Sequence, residues 1–393
     1  MMKHVVVLSG ARTAIGDYGG ALKHLEPATL AAITIREAIT RVGADPARIG
    51  HVVAGHVIPT EARDMYLARV AALEAGLPQQ VAALTLNRVC GSGLQAIISA
   101  AQMITLGDTE TAIAAGAESM SRGGYLLPAL RWGQRMHDSI ATDMMIGALT
   151  DPFDQVHMGI TAENIAEKWG ITRAQQDQFA QESHRRALHA IRNGYFREQI
   201  IPVELSSREG SILFDTDQHP RDNVSLGTLG KLRPVFRDNG TVTAGNASGI
   251  NDGAAALVLM EESAAERGQH QPLARLVAYG HAGVDPRYMG IGPVPAVRQA
   301  LDRAGLKLAD MDIIESNEAF AVQACAVAQE LGLDPDKTNP NGGAVALGHP
   351  IGASGCILAI KAIYELRRTH GRYALVTLCI GGGQGIAAIF ERL

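Results

Sequence analysis

The amino-acid sequence predicts an α/β fold with mostly parallel strands, made of two similar halves and one inserted region. Three observations indicate this fold. Short β-branched runs alternate with helical patterns over most of the 393 residues. Similar series of elements follow Ser92 and Ser354, about 262 residues apart, which indicates an internal repeat. Between residues 119 and 244 the alternation stops, and connections rich in Gly, Pro, Asp and Arg replace it.

The first half begins with a predicted strand at His4–Gly10 and a predicted helix at Pro27–Val42. Pro27 in the first turn and Gly43 just past the last turn are typical of the two ends of a helix. The other predicted elements of this half are strands at His51–Val57, Ala82–Asn87 and Thr111–Gly116 and helices at Arg63–Ala75 and Leu94–Leu106.

Two helices are predicted inside the inserted region, which is otherwise expected to be irregular. One begins near Thr161. The other begins with Thr172 and Gln175, whose spacing is that of a capping box, and it ends at Asn193-Gly194. Many of the arginines lie in this region, and the basic patch that an anionic ligand would need could form here.

The alternation returns in the second half. The predicted strands are Ala254–Met260, Leu273–Tyr279, Asp312–Glu315, Tyr373–Cys379 and Ile386–Phe390, and the predicted helices are Val294–Ala304, Ala319–Leu331 and Ile357–Arg368. We assign residues 1–118 and 249–270 to an N-terminal half, 119–248 to an inserted loop domain, and 271–393 to a C-terminal half.

Composition excludes several classes of protein. Hydrophobic residues make up 47% of the chain and charged residues 19%, which is a globular balance. The net charge of -5 and the pI near 6.2 are unlike those of a nucleic-acid-binding protein. We find no signal segment and no apolar stretch near the length of a membrane span, so we expect a cytoplasmic protein without membrane contact. The four cysteines lack the spacing of a metal site, and we expect them to be reduced.

The first segment that could carry chemistry is Asn87–Leu94. A strand ends, Cys90 follows, and a Gly-Ser-Gly turn leads into a helix. This order places the thiol at a helix N-terminus, where free N–H groups and the helix dipole favour a thiolate. The glycines let a thioester approach the backbone and leave N–H groups free to bind an oxyanion. A buried structural cysteine at a tight turn is the alternative, and this segment alone does not decide.

The second segment is a long glycine-rich loop at 341–355, in which His349 stands between Gly348 and Pro350. Ordering such a loop costs conformational entropy, which favours a use for its shape. Histidine is the natural base for activating a thiol. The alternative is a loop histidine whose hydrogen bonds are only structural.

Two further segments follow predicted strands. Cys379 precedes the glycines 381–383, at the kind of strand end where open α/β sheets place their sites. A small core residue before a hairpin is the alternative. Asn317 stands in a polar cluster before an apolar helix, where it could orient a water or a ligand oxygen, although a helix N-cap is the more frequent role. The segment 243–253 fits either a turn or a ligand-binding loop, and Cys325 and Cys356 fit the packing of small hydrophobes.

Four of these segments resemble the four active-site blocks of the thiolase family: Asn87–Gln95, Asn317–Ala321, Gly342–Gly355 and Cys379–Gly385. The opening segment Ser9–Gly16 is similar to the family as well, so the resemblance covers essentially the whole chain. Within the family, the sequence is most similar to bacterial biosynthetic acetyl-CoA acetyltransferases, in particular to β-ketothiolases of broad chain length.

The resemblance implies a fold of two βαβαβαββ halves stacked as five layers, α-β-α-β-α, with a loop domain that binds CoA. It also implies a reversible two-step Claisen condensation. Cys90 would be acylated by an acyl-CoA while His349 takes the thiol proton. Cys379 would then remove an α-proton from acetyl-CoA, and the carbanion would attack the acyl group to give a 3-oxoacyl-CoA.

Further site residues are implied by the same resemblance. The N–H groups of Cys90 and Gly381 would form one oxyanion hole, and His349 with a water on Asn317 would form the other. The residues implied to line the CoA or acyl pocket are His157, Met158, Arg221, Ser248, Ala319 and Phe320, with Arg221 near the nucleotide phosphates. CoA thioesters are the implied substrates, no tightly bound cofactor is implied, and the implied assembly is a homotetramer built as a dimer of dimers.

Two features depart from acetoacetyl-specific members of the family. Pro59–Tyr66 is more charged and bulkier than their Gly/Asn/Pro-rich segment, and Gln384 stands where many relatives have Met. Both predict a reshaped acyl pocket or tetramer loop. We therefore expect a specificity that is not restricted to two carbons.

Three other functions are weighed against this one. A degradative 3-ketoacyl-CoA thiolase of β-oxidation would differ by preferring medium and long chains. A decarboxylating ketosynthase-like enzyme that acts on a carrier protein is disfavoured by the Cys379 block. An acyl-CoA-binding carrier that lost the chemistry is disfavoured because all four blocks are intact.

Overall fold

The computed structural model describes residues 3–207 and 210–393. The elements of the first half are β1 (Val5–Arg12), β2 (Gly16–Asp17), α1 (Pro27–Val42), β3 (His51–Gly55), α2 (Leu67–Glu74), β4 (Ala82–Leu86), α3 (Ser92–Leu106) and β5 (Thr111–Ser119). The inserted region contains β6 (Tyr125–Leu126), β7 (Thr142–Asp143), α4 (Met144–Ala148), α5 (Met158–Trp169), α6 (Arg173–Arg192), β8 (Val203–Ser207), β9 (Gly210–Phe214) and α7 (Leu226–Leu229).

The chain then returns to the core. The closing elements of the first half are β10 (Asn251–Glu261) and α8 (Glu262–Arg267). The second half comprises β11 (Ala274–Gly283), α9 (Pro293–Ala304), β12 (Ile313–Ser316), α10 (Ala321–Leu331), α11 (Ala344–Leu347), α12 (Ile351–Thr369), β13 (Tyr373–Ile380) and β14 (Gln384–Arg392).

Each half forms a mixed sheet, and the sheets have the strand orders β4-β3-β5-β10-β1 and β11-β14-β13-β12. A short antiparallel contact between β1 and β11 connects them. The expectation of mostly parallel pairing is wrong. Only β3–β4, β3–β5 and β12–β13 are parallel, because β10 and β14 each insert antiparallel between two strands of their own half.

The alternation of side chains along the strands produces five layers. Val6 of β1 packs in the cluster that includes α1 and α2, whereas Val7 packs against the central helices α3 and α12. In the other sheet, Ile389 of β14 packs against α9 and Phe390 packs against the central helices. Since successive side chains of a strand point to opposite faces, both sheets are covered on both sides. The α-β-α-β-α order implied by the family resemblance is confirmed.

The internal repeat is also present in the structure. β3 and β12 begin 262 residues apart, as do β5 and β13. The second half departs from the βαβαβαββ order at one place. The strand that would correspond to β4 is reduced there to a single parallel bridge between Ile314 and Thr338. The division of the chain at residues 118, 249 and 270 stays a prediction.

Several helix ends follow the sequence signals. α1 has the predicted bounds, and Gly43 ends it in the left-handed conformation. α6 begins with the predicted capping box, in which the Thr172 side chain accepts the N–H of Gln175. The strong end signals, Pro and Gly in one case and Thr-x-x-Gln in the other, fix these bounds because each satisfies backbone groups that have no partner within the helix.

Other helix starts differ from the prediction. α5 begins at Met158 instead of near Thr161, since the side chain of His157 caps it. α12 begins at Ile351 instead of Ile357. The predicted helix at Arg63–Ala75 is a 3-10 turn followed by α2. The inserted region also contains two strand pairs, β6–β7 and β8–β9, that the sequence did not suggest.

The central helix α3 corrects one further expectation. The 18-residue window Val89–Leu106 has a mean hydropathy of 1.4 and is long and apolar enough for a membrane span by those two criteria. Within the molecule 61% of this window is buried. A helix enclosed between two sheets is apolar all round for the same reason that a spanning helix is.

Candidate active site

The N-termini of the two central helices meet inside the molecule. A Cβ atom on Gly355 of α12 would lie 2.0 Å from the amide nitrogen of Leu94, and one on Gly93 of α3 would lie 2.7 Å from that of Cys356. Glycine at both positions therefore lets the two backbones touch. As a result, the turn before α3, which carries Cys90, lies beside the loop before α12.

Cys90 sits in a strained turn between β4 and α3. Val89 has a φ of +46°, a left-handed conformation that β-branched residues rarely adopt. Two side chains hold the turn. Asn87 Oδ1 accepts the N–H of Val89 at 2.9 Å, and Ser92 Oγ accepts the N–H of Arg88 at 2.8 Å. Strain of this kind concentrates at functional sites, which favours a nucleophile over a structural cysteine.

The Cys90 thiol is buried and interacts with its own backbone N–H and with that of Gly381. The pKa of Cys90 is raised to about 11, mainly by burial and in small part by the nearby Glu118 carboxylate. The two N–H groups lower this pKa, as expected for groups that favour the thiolate, but burial outweighs them in the free protein. A base must therefore take the proton during the attack.

His349 has hydrogen bonds that fix its tautomer. The hydroxyl of Ser354 donates its hydrogen to the Pro350 carbonyl at 2.9 Å. The oxygen of that hydroxyl must therefore accept from Nδ1–H of His349, which lies at 2.6 Å. Nε2 is then left as the proton acceptor. The N–H of His349 is held by Asn251 Oδ1 at 2.9 Å. Burial lowers the pKa of His349 to about 4, which keeps the imidazole neutral and able to act as a base at neutral pH.

Cys379 lies near the end of β13, just before the glycine turn into β14. It is fully buried, and burial and the charge of Cys90 both raise its pKa. The Cys90 thiol interacts with the N–H of Gly381, two residues after Cys379, which brings the two thiols close together. At Gly381 a Cβ atom would lie 2.1 Å from Met158 Cε, so a side chain there would displace the wall of the site.

Asn317 follows β12 and is buried beside His349. Its Nδ2 lies 3.5 Å from Nε2 of His349, and its backbone N–H donates to the Thr377 carbonyl at 2.9 Å. The alternative role of helix N-cap is excluded, because Phe320 is the residue that precedes α10. The amide and the imidazole therefore face a common space.

Five of the six predicted CoA or acyl contacts lie together. Met158, Ala319 and Phe320 pack in one cluster with Cys379. His157 stacks on Phe236 at 4.5 Å between ring centroids, and Phe236 in turn contacts Phe320 edge-on. The N–H of Ser248 donates to the Ala319 carbonyl at 3.0 Å. These residues form a largely apolar wall next to the second thiol.

Arg221 lies apart from this wall. It lines a cavity of about 190 Å³ together with His184 and His219. The N–H of Arg221 donates to His184 Nδ1 at 3.2 Å. Burial, together with the charges of His219 and Arg221, lowers the pKa of His184 to about 4. Three cationic or hydrogen-bonding side chains thus surround one space, which suits a phosphate group.

Sequence reasoning missed three residues of the site. Met289 packs in the cluster of Cys379 and Met158, but no local signal marks it. Ser354 was read only as part of the repeat, although a hydroxyl five residues after a loop histidine was a possible signal. Asn251 belongs to the segment 243–253, which was left open between a turn and a ligand-binding loop. It proves to hold the His349 loop.

The assembled groups fit acyl transfer combined with proton abstraction next to a carbonyl. They comprise a nucleophilic thiol, a neutral imidazole, a second thiol and two separate sets of hydrogen-bond donors. All four cysteines are free. Among residues 3–207 and 210–393, no group of three or more His, Cys, Asp or Glu side chains could hold a metal ion.

Comparisons with known proteins cover the whole chain. The family described as "Thiolase, N-terminal domain" matches residues 5–263, and "Thiolase, C-terminal domain" matches residues 270–392. Beta-ketothiolase BktB of Cupriavidus necator is 62% identical over 394 residues, which is 100% of both chains. Among solved structures, Bacillus anthracis acetyl-CoA acetyltransferase has a TM-score of 0.97 and 46% identity, covering 100% of this chain and 99% of that one. Human mitochondrial 3-ketoacyl-CoA thiolase in complex with CoA has a TM-score of 0.96 and 42% identity, covering 100% and 98%.

Proposed function

Because this chain belongs to the thiolase family and is an acyltransferase, we propose that Cys90 carries the acyl group in a reversible Claisen condensation of acetyl-CoA with an acyl-CoA. The observation that carries this proposal is the meeting of Cys90, His349, Asn317 and Cys379 at the N-termini of the two central helices. Taken singly, each of these residues could have a purely structural role. A thiol on a strained turn, a neutral base and a second thiol in one place are best explained by catalysis.

In the first step, Cys90 attacks the thioester of an acyl-CoA. Nε2 of His349 takes the proton as the bond forms, since the thiol does not ionise by itself when its pKa is about 11. The N–H groups of Cys90 and Gly381 bind the oxygen that becomes negative. Cys379 gives its proton to the departing CoA sulfur and becomes a thiolate.

In the second step, this thiolate is the base. Burial raises the pKa of Cys379, so its thiolate is a strong base for the weakly acidic α-proton of acetyl-CoA. Asn317 and His349 bind the enolate oxygen, Asn317 through a water molecule. The carbanion then attacks the acyl group on Cys90, and the bond between that group and the Cys90 sulfur breaks. The 3-oxoacyl-CoA is released, and the Cys90 thiolate takes back the proton held by His349. Thiolysis is the reverse sequence.

The CoA moiety of the substrates has a place outside the four catalytic residues. We assign the wall of His157, Met158, Ser248, Ala319 and Phe320 to the pantetheine and acyl end. The cavity of Arg221 is assigned to the nucleotide phosphates, because the Arg221 guanidinium is cationic and His184 and His219 line the same space. The human mitochondrial 3-ketoacyl-CoA thiolase was solved in complex with CoA, which supports this class of ligand. No cofactor beyond CoA thioesters enters the reaction.

The assembly and location are part of the same proposal. We infer a homotetramer, supported by apolar side chains that are exposed between β6 and α4, such as Trp132 at 91%, Ile140 at 77% and Met136 at 70%. Light scattering in solution gives the mass of the assembly and so tests whether it contains four chains. We also infer a cytoplasmic enzyme, since both reacting cysteines must stay reduced. Subcellular fractionation tests the location.

The decisive experiment is the capture of the acyl-enzyme. Incubation with acetyl-CoA should leave an acetyl group on the peptide that contains Cys90, as read by mass spectrometry. The Cys379→Ser variant should still be acetylated, yet it should not form acetoacetyl-CoA. Acetylation at another residue, or none, would refute the assignment of the nucleophile.

The acyl range is tested separately by thiolysis rates against chain length. We propose that acetoacetyl-CoA and somewhat longer 3-oxoacyl-CoA substrates are all accepted, in line with the β-ketothiolase name of the relative at 62% identity. A marked preference for medium and long chains over acetoacetyl-CoA would instead support the degradative 3-ketoacyl-CoA thiolase.

A further inference from the structure

A buried carboxylate stands directly beside Asn317 and has no part in the mechanism above. We propose that Glu318 is a positioning residue that holds Asn317 in register with His349, and that Ser183 of the inserted helix α6 acts through it. This inference rests on the proposed function, because it takes Asn317 and His349 to bind the enolate oxygen.

Glu318 accepts hydrogen bonds on both of its oxygens. Oε1 accepts from Nδ2 of Asn339 at 2.8 Å, while Oε2 accepts from the Ser183 hydroxyl at 2.6 Å and from the N–H of Val345 at 3.1 Å. Only 1% of the residue is exposed. Burial raises the pKa of Glu318, and the bonds from Ser183 and Asn339 counter that rise. A buried carboxylate with donors on both oxygens has one defined orientation.

These bonds join the chain on both sides of Asn317 to the segment that leads to His349. Asn339 receives the N–H of Ser316 on Oδ1 at 2.9 Å and donates to the Ser316 carbonyl at 2.8 Å. Val345 belongs to α11, which ends two residues before His349. One clamp therefore fixes Ser316, Glu318 and the approach to His349, with Asn317 between its points of attachment.

The clamp extends into the inserted region through α6. The Ser183 hydroxyl that donates to Glu318 also accepts the N–H of Gly343 at 3.1 Å. The next residue, His184, accepts the N–H of Arg221 in the cavity assigned to the nucleotide phosphates. Adjacent residues of one helix thus contact the catalytic clamp and the proposed CoA site.

The clamp also borders a cavity. This cavity of about 470 Å³ between α6 and α10 is lined by Ser183, Glu318 and Asn339 among others. Packing is therefore incomplete on this side, and the hydrogen bonds help to set the geometry of the clamp. That geometry matters because Asn317 and His349 must converge on one oxygen, and a misplacement of about 1 Å costs roughly 100-fold in rate.

The test is the Glu318→Gln variant, which keeps the size of the side chain. An amide has only one acceptor oxygen, so either the Asn339 side or the Ser183–Val345 side must lose its bond. We expect kcat for condensation to fall by about 10- to 100-fold, while KM changes by less than about threefold. Acetylation of Cys90 should fall much less, because His349 keeps its own bonds to Asn251 and Ser354. Glu330→Gln, the same change on the exposed end of α10, is the matched control and should keep full activity.

The Ser183→Ala variant tests whether helix α6 acts on the clamp through Ser183. We expect its kcat to fall most with full CoA thioesters and less with the truncated N-acetylcysteamine thioester, which cannot reach the Arg221 cavity. Wild-type kcat in both variants, or equal loss of Cys90 acetylation and condensation, would overturn the positioning role. An absence of Cys90 acetylation in the wild-type enzyme would instead refute the proposed function, so the two failures are distinct.

Discussion

In the first half of the core, α3 begins two residues after the proposed nucleophile Cys90, and in the second half α12 begins two residues after His349. At the repeat offset of 262, however, Cys90 corresponds to Gly352, which lies inside the first turn of α12. The N–H of Gly352 donates to Glu118 at 2.9 Å. The halves thus differ by one helical turn. Where the turn is absent, the buried thiol of Cys90 lies just before the helix, and where the turn is present, His349 lies in the preceding loop.

The serines at equivalent positions of the two halves, Ser92 and Ser354, have different roles. Ser92 in the first half braces backbone only, since its hydroxyl donates to the Val89 carbonyl and accepts the N–H of Arg88. Ser354, the corresponding residue in the second half, donates to the Pro350 carbonyl and accepts from His349. A duplicated scaffold therefore provides equivalent positions, and single substitutions at those positions divide the chemistry between the halves.

The largest effect should come from removing the residue that distinguishes the first half. Cys90→Ala should lower the thiolysis rate by at least about 10⁴-fold, because no other group forms the acyl-enzyme. The rate of acetoacetyl-CoA consumption measures this loss. Cys325→Ala, a matched change on α10 away from the reacting atoms, should keep most of the activity. If Cys90→Ala retained even a tenth of the rate, the nucleophile would not belong to the first half.

The second prediction concerns stability, and it compares one buried ion pair of each half. Arg12 of β1 binds Asp217 of the inserted region through both carboxylate oxygens, at 2.7 and 2.9 Å. Lys361 binds only one oxygen of Glu315, whose pKa burial raises to about 7. Asp217→Ala should therefore cost about 3–5 kcal/mol of unfolding free energy, because it leaves a buried guanidinium unpaired.

Urea titration, followed by circular dichroism, measures the unfolding free energy of both variants. Glu315→Gln is the comparison, and we expect a loss of only about 1–2 kcal/mol, since its second oxygen has no hydrogen-bond donor in the first place. Equal losses of unfolding free energy in the two variants would show that the Arg12–Asp217 pair stabilises the protein no more than the Lys361–Glu315 pair does.

The third prediction compares the two thiols in the substrate-free enzyme. The pKa of Cys90 of about 11 is two units above that of an ordinary cysteine, so its thiolate is about 100-fold scarcer at neutral pH. Deprotonation of a thiol increases as pH rises, so alkylation by iodoacetamide should accelerate about tenfold per pH unit from pH 7 to 9. Cys379 is fully buried and should react more slowly at every pH. Peptide mass spectrometry separates the two sites, and a plateau in the Cys90 rate below pH 9 would contradict the burial argument.

The fourth prediction uses the paired serines. Ser354→Ala removes the acceptor of Nδ1–H, so that His349 no longer keeps a single tautomer, and kcat should fall by about 10- to 100-fold. Burial sets the pKa of His349 to about 4, so the neutral base persists down to that pH and the acid limb of kcat/KM in the wild-type enzyme should lie near pH 4. Ser92→Ala should mainly reduce stability, by about 1 kcal/mol, with a smaller change in kcat. A reversed order of the two kcat losses would mean that backbone bracing matters more than the tautomer.

Much of this arrangement follows from the sequence where local signals are strong. Pro27 and Gly43 set both ends of α1, and Thr172 with Gln175 sets the start of α6. The predicted strand ends at Glu315 and Cys379 lie within one residue of the observed ends, because buried runs stop at polar or glycine residues there.

The unpredicted features depend on contacts between distant residues. The start of α12 was placed six residues too late because Gly352, Ser354 and Gly355 are poor helix formers. Their small size is needed where Gly355 meets the amide of Leu94, which only the fold reveals. The net rise in the pKa of Cys90 could not be predicted for the same reason, since burial is a property of the assembled site.

The smallest effect is expected at Gln384, where this chain departs from the Met of many relatives. Gln384 is exposed at the start of β14, just past the glycine turn of the second half. Surface substitutions of this kind stay within about 0.5 kcal/mol, so Gln384→Met should change the ratio of thiolysis rates on six-carbon and four-carbon substrates by less than about twofold. Parallel rate measurements on 3-oxohexanoyl-CoA and acetoacetyl-CoA give this ratio. A larger shift would place Gln384 against the acyl chain, and the second half would then contribute to chain-length selection as well as to proton transfer.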